Sequence, residues 1–295
     1  MLALALSLAT AVATGRADTA PKLCSACDDW NAPQAPFRLH GKSFYVGPRG
    51  LAAVLIDSGD GLILLDGALP QSAEPIARNI AALGYRIEDV KWIVNSHAHF
   101  DHAGGIAALQ RMSGAKVAAS PRGADALRRG NAPPDDPQYG LGEEANRFAP
   151  VREVVEIGDG ETITLGDITL TAHHTPGHTP GGTSWHWRSC AAGECLNLVY
   201  ADSLTPVSAE DFRFSDEPAR VAEFRRSIDT VRRLPCDIMV STHPNFTGLF
   251  ERQARQTSPD DHSVFVDAEA CRKYADGAER WLDRRLAVEQ AAQAH

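Results

Sequence analysis

Apolar and polar positions fall in blocks along this chain, and the blocks outline its elements before any chemistry is considered. Leu51 to Asp57, "LAAVLID", and Leu62 to Asp66, "LILLD", flank Ser58-Gly59-Asp60-Gly61. Apolar β-like runs around such a turn predict a hairpin. Beyond Ser72, the residues Ile76, Ile80 and Leu83 share one helical face until Gly84. That pattern predicts a helix capped by Ser72 and stopped by the glycine. A buried strand is expected at Trp92 to Val94, a helix over Gly105 to Met112 and a strand at Val117 to Ala119. A comparable series follows. Strands are expected near Glu161 to Leu165, Ile168 to Ala172, Thr183 to Trp187 and Leu198 to Tyr200. A helix over Pro218 to Leu234, a strand at Asp237 to Val240 and a long helix from Ala268 to Ala292 complete it. Two β-rich blocks, each followed by helices, predict an α/β architecture of two sheets packed face to face with helices outside. No Gly-, Ser- or Pro-rich linker parts the halves, and "RGNAPPDDPQYG" reads as a loop within a domain. A single domain over 21–295 is expected.

Composition removes several classes of function. Of 295 residues, 43% are hydrophobic and 23% charged, enough for a sizeable core. Lys and Arg number 29 against 38 Asp and Glu, a net charge of −9, and no basic run could track phosphates. A nucleic-acid partner is therefore not expected. Neither is a membrane span, because no apolar run is long enough. Met1 to Ala13, "MLALALSLATAVA", has the apolar core of a secretory signal, with Ala11-Val12-Ala13 as a cleavage motif. Residues 1–20 are thus expected to be a signal peptide and the mature chain to be periplasmic or secreted. The usual basic n-region is missing, so the natural start is expected upstream.

Six cysteines agree with an oxidising compartment. Cys190 and Cys195 bracket "AAGE" between two β-like runs, a spacing suited to a bridge across a hairpin. Cys236 and Cys271 are expected to join the strand before His243 to the terminal helix. Cys24 and Cys27 form one CxxC with no second to complete a zinc ribbon, and their pairing stays open.

The chemistry concentrates after the run "VKWIV", in Ser96-His97-Ala98-His99-Phe100-Asp101-His102-Ala103-Gly104-Gly105. On a helix, residues two apart diverge. On a loop leaving a strand, the same spacing can aim both His97 and His99 at one point. Imidazole and carboxylate are good Zn2+ ligands, and four donors in six residues are too many for one tetrahedral ion. Two adjacent metals are the natural solution, and two metals suit hydrolysis. The remaining ligands must come from elsewhere. "HHTPGHTPGG" offers His174 or His178, and His243-Pro244 follows "DIMVST". His40, His186, His262 and His295 have no such setting and read as surface or packing histidines.

HAHFDH, GHTPGG and His243-Pro244 resemble the metallo-β-lactamase superfamily, from about Phe37 to the terminal helix. "GGTSWHWRSC", "VYADSLTPVS" and "CRKYADGAERWLDRRLA" carry a closer resemblance to subclass B3, in its AIM-like branch. The resemblance implies an αββα sandwich of two mixed sheets with the metals in a groove at its rim. It implies zinc-dependent hydrolysis of the β-lactam amide of penicillins, cephalosporins and carbapenems, by attack of a metal-bound hydroxide. Antibiotic resistance, two Zn2+ per chain, a small β-lactam as the binding partner and a monomeric state come with it. His97, His99 and His178 would hold the first zinc, and Asp101, His102 and His243 the second. Asp101 would also serve catalysis by orienting that zinc. Ser203 and Thr205 would project hydroxyls toward the substrate's carboxylate, while Asp202 would turn away and hydrogen-bond within the protein. A lactonase or a glyoxalase-II-like thioesterase on the same scaffold is the rival, and there an aspartate in the place of Asp202 bridges the metals. Asp66, closing "LILLDG", is a candidate for orienting a ligand imidazole or for capping a turn. Arg49 stands where the AIM-like pattern has a cysteine, so the nearby groove wall is expected to differ.

Overall fold

The computed structural model describes residues 18–293, so the expected signal peptide, apart from residues 18–20, and His295 lie outside the described residues. Seven strands run in sequence order across the first sheet: β1 (Phe37–His40), β2 (Ser43–Tyr45), β3 (Val54–Asp57), β4 (Leu62–Leu65), β5 (Val90–Val94), β6 (Lys116–Ala119) and β7 (Val154–Glu156). The second sheet contains β8 (Thr162–Leu165), β9 (Ile168–His174), β10 (Thr183–Ala191), β11 (Glu194–Ala201) and β12 (Ile238–Ser241), in the order β12-β11-β10-β9-β8. Both sheets are mixed. β4 to β7 pair in parallel, as do β11 and β12, and the remaining pairs are antiparallel.

Alternation along the strands decides what each face buries. Val54 and Ile56 of β3, Ile63 and Leu65 of β4, and Val94 of β5 pack against Leu170, Trp185, Trp187, Leu198 and Tyr200 of the second sheet. Leu55, Leu64 and Ile93 face the other way, onto the helices Ala73–Ala82, Ile106–Ser113 and Pro121–Arg129. On the far side, Val199 and Met239 meet Phe224, Ile228, Ala275 and Leu282 of the helices Pro218–Arg233 and Ala270–Gln293. These three apolar layers make an αββα sandwich. Among the described residues, no helix is long and apolar enough to cross a membrane.

Several expectations need correction. Ser72 does not cap the helix with its side chain: its hydroxyl donates to Asn31 Oδ1 at 2.6 Å. The hairpin strand begins at Val54 rather than Leu51, because Ala52 N–H is drawn to Thr242 O at 2.8 Å, near the other sheet. The helix Pro121–Arg129, capped by Ser120, was not legible, since its buried face is Gly123, Ala124, Ala126 and Leu127, mostly small residues. Cys190 joins Cys195 across the β10–β11 turn, and Cys236 joins Cys271. Cys24 is joined to Cys27 as well.

Candidate metal centre

Parallel strands carry loops at their C-terminal ends, and β5 and β12 each deliver a ligand loop to one rim of the sandwich. Asp66, just past β4 with a positive φ of 61°, fastens the first of these loops. Its Oδ1 accepts from Ser96 N at 2.7 Å and Asn95 Nδ2 at 2.9 Å, and its Oδ2 from Ser96 Oγ at 2.6 Å and Tyr200 OH at 2.8 Å. The second sheet fastens it too. Trp185 Nε1 donates to Asn95 O at 3.1 Å, and Thr183 N to Ser96 O at 2.8 Å. With four donors already on its carboxylate, Asp66 stays 4.0 Å from His102 Nδ1. It anchors the loop rather than orienting an imidazole.

Six side chains converge here in two sets. His97, His99 and His178 offer ring nitrogens within 4.8 Å of one another. In the other set, Asp101 Oδ2 lies 3.2 Å from His102 Nε2 and 3.5 Å from His243 Nε2, and those two nitrogens are 3.3 Å apart. Tetrahedral zinc with bonds of about 2.0–2.1 Å requires donor–donor edges of about 3.3 Å. The second set already has that spacing. His97 Nε2 is buried without a hydrogen-bond partner, as a nitrogen reserved for a cation would be. A divalent metal therefore fits both sets.

The opposite side of four of the five rings is held, His102 Nδ1 being the exception. His97 Nδ1 lies 2.7 Å from Asp202 Oδ1, and His99 Nε2 lies 3.2 Å from Asp136 Oδ1. His178 Nδ1 lies 2.8 Å from Thr205 O, and His243 Nδ1 3.3 Å from Gly50 O. Such partners fix ring rotation and choose the nitrogen that faces inward. Gly177 admits the turn before His178 with φ +151°, where a Cβ would run into the Phe224 ring.

Burial dominates the titration of this region. It pushes His97 well below the usual imidazole range, helped by the neighbouring His102, His178 and His99. It likewise takes His178 down to about 3, with His99 adding to the effect. At His99 burial works the same way, but the Asp136 carboxylate outweighs it and moves the pKa up. Burial also pushes the Asp202 carboxyl well up. Asp101 moves well down despite burial, because His102 and His243 surround it.

The ligand cluster opens onto a groove of about 450 Å³ walled by Trp30, Phe100, Phe246 and Trp281. Thr205 lines it with its Oγ1 3.0 Å from His178 Nδ1, and Ser203 does not line it. Ser203 is buried with its hydroxyl 2.8 Å from Thr242 Oγ1. Residues two apart do share a side of an extended chain, but here the chain passes beneath the surface and the hydroxyl finds an internal partner. His174 is excluded from the cluster, since its Nε2 lies 3.0 Å from Ile157 O. Arg49 lies behind the wall, its guanidinium 4.8 Å over the Phe250 ring, while Gly50 N donates to Trp30 O at 3.1 Å.

Sequence reasoning missed Asp136 and Gln138, both in the segment read as a plain loop. Gln138 Nε2 lies 3.5 Å from His99 Nδ1 and 3.4 Å from His178 Nε2, at the mouth of the first set. The acidic pair Asp135-Asp136 beside Pro and Gly in a loop was the one available signal.

A family model described as the metallo-β-lactamase superfamily matches residues 46–190. The structure of MEM-A1, a subclass B3 metallo-β-lactamase isolated from a soil metagenome library, shares 49% identity and superposes with a TM-score of 0.86, covering 90% of this chain and 100% of that one. The Rm3 metallo-β-lactamase shares 48% identity with a TM-score of 0.87, over 91% of this chain and 100% of that one. MIM-1 from Novosphingobium pentaromativorans shares 40% identity with a TM-score of 0.82, over 90% and 94% of the two chains. Hydroxyacylglutathione hydrolase of Anaeromyxobacter dehalogenans is 30% identical over 186 residues, 63% of this chain, and the chain spans 56% of that protein's length.

Proposed function

We propose, since this chain belongs to subclass B3 of the metallo-β-lactamase superfamily, that it hydrolyses the amide bond of β-lactam antibiotics with two zinc ions per chain. Export to the periplasm and antibiotic resistance are part of the same proposal. The observation that carries the reading is the direction of Asp202. In the thioesterase rival an aspartate at this place would bridge the metals. Here its Oδ1 backs onto His97 Nδ1, behind the ligand ring rather than between the two donor sets.

His97, His99 and His178 would hold one zinc and Asp101, His102 and His243 the other. Zinc, when bound, supplies Lewis acidity and generates hydroxide from its water at neutral pH. The chain's own residues do the rest. Asp202, Asp136 and the Thr205 carbonyl hold the outer ring protons of His97, His99 and His178, so that the inner nitrogens stay free to ligate. The apolar wall of Trp30, Phe246 and Trp281 packs the substrate's side groups and excludes water from the bond being broken. Gln138 can donate its amide to a substrate oxygen at the first set. No serine nucleophile is needed.

Thr205, at the groove wall with its Oγ1 3.0 Å from His178 Nδ1, would turn its hydroxyl to the substrate carboxylate, and Ser203 becomes a support for Thr242. Steady-state kinetics on a cephalosporin test this, with Ser203→Ala and Thr205→Ala beside the parent. A hydrogen bond to a charged group contributes about 1.5–3 kcal/mol, so Thr205→Ala should raise KM roughly tenfold or more. The variant loses the hydroxyl 3.0 Å from His178 Nδ1 but keeps the backbone carbonyl at 2.8 Å, which still holds that ring, so zinc content should not change. Ser203→Ala should leave KM within a few-fold. A parent chain that ignores the cephalosporin and turns over a glutathione thioester would overturn the reading.

A further inference from the structure

A second set of strong ligands gathers far from the groove. His40 ends β1, Glu194 opens β11, and His262 leads into the short turn Ser263–Phe265. Each offers one ligand atom, and these atoms lie within 4.8 Å of one another. His262 Nε2 is 2.9 Å from Glu194 Oε2, and the His40 and His262 rings meet edge to face with centroids 4.5 Å apart. His40 is 0% exposed, yet neither of its ring nitrogens has a hydrogen-bond partner. A buried polar group without a partner is costly and rare in native proteins. The imidazole lies beside two further donors.

The place is well removed from the groove. β10 starts at Thr183, bonded to Ser96 beside the first histidine set, and reaches Cys190 at the opposite end. At about 3.3 Å per residue that run covers roughly 23 Å. The three ligand-bearing segments are also held in position independently of any ion. Ser189 Oγ donates to His40 O at 3.2 Å, and the Cys190–Cys195 link closes the turn that carries Glu194. Asp261 accepts from Thr257 Oγ1 at 2.9 Å and Ser263 Oγ at 2.6 Å, bracing the loop that carries His262.

We propose that His40, Glu194 and His262 form a separate zinc site, with two imidazoles, one carboxylate and a solvent molecule as fourth ligand. This donor set suits Zn2+. His40 is the fixed member. Glu194 and His262, with side chains 57% and 32% exposed, have the freedom to close the spacing toward tetrahedral edges. An ion there ties the 257–262 loop to the β10–β11 turn and the end of β1, and satisfies the buried His40. The proposal does not depend on the β-lactamase reading.

Zinc retained after equilibrium dialysis against a fixed free-zinc concentration tests it. The full chain is compared with His262→Ala and Glu194→Gln, whose partly exposed positions spare the fold. Each variant should retain one zinc equivalent fewer than the parent, with cephalosporin turnover unchanged. The same loss should appear when His262→Ala is added to a His178→Ala background, in which the groove set is already broken. Equal zinc content in the parent and both variants overturns the site. So does a His262→Ala loss that disappears in the His178→Ala background, because the missing ion would then belong to the groove.

Discussion

Stripping the chain of metal with a chelator should lower β-lactam hydrolysis by at least about a thousandfold, the scale on which a lost charge-stabilising group is felt in a dry site. Adding Zn2+ should restore it, and inhibitors that acylate a serine should have no effect at any stage. The reason lies in the divided origin of the ligands. His97, His99, Asp101 and His102 leave the first sheet, whereas His178 and His243 come from the second. Zinc bound by these ligands would join the halves of the sandwich, and its binding energy would also be folding energy. A ligand at a hundred times its dissociation constant adds about 2.7 kcal/mol of stability per site. The melting temperature should fall with the activity and return with it. Activity that survives complete metal removal would show that the six side chains are not the catalytic centre.

The second large effect is expected of Asp202→Asn. Asp202 is fully buried, its Oδ1 lies 2.7 Å from His97 Nδ1, and its Oδ2 has no hydrogen-bond partner. The substitution keeps the shape but removes the acidic oxygen that matches a ligating imidazole. Losing such a partner typically costs 10- to 100-fold in metal affinity or activity. We expect zinc affinity at the first set to weaken by about that factor, with kcat restored at high free zinc. If Asp202 bridged the metals instead, the variant would lose an ion outright and added zinc would not rescue it. Competition titration with a zinc-binding dye distinguishes the two outcomes.

What the sequence revealed and what it hid divide along a physical line. The cluster from His97 to His102 was legible because its donors are neighbours in sequence, and a strand end is a sufficient frame for them. His178 needed the family pattern, since only the fold shows His174 turned to Ile157 O. The carboxylates behind the rings were harder. Asp136 sits in a loop without periodicity, and the pairing of Asp202 with His97 spans 105 positions. Ser203 was misjudged because the two-residue rule gives a side, not whether that side meets solvent. The sandwich followed from its apolar blocks, but β1 and β2 went unread, being short, and the helix Pro121–Arg129 lacks the large apolar stripe that marks its neighbours.

The claim on which this account rests is that six side chains hold two zinc ions in the groove. Anomalous diffraction at the zinc edge, from crystals grown with Zn2+, tests it directly. Two strong peaks about 3.5–4 Å apart are expected in the groove. One should sit about 2.0–2.1 Å from His97 Nε2, His99 Nδ1 and His178 Nε2, and the other at similar range from Asp101, His102 and His243. A single peak in the groove, or a peak bonded to Asp202 between the two sets, would contradict it.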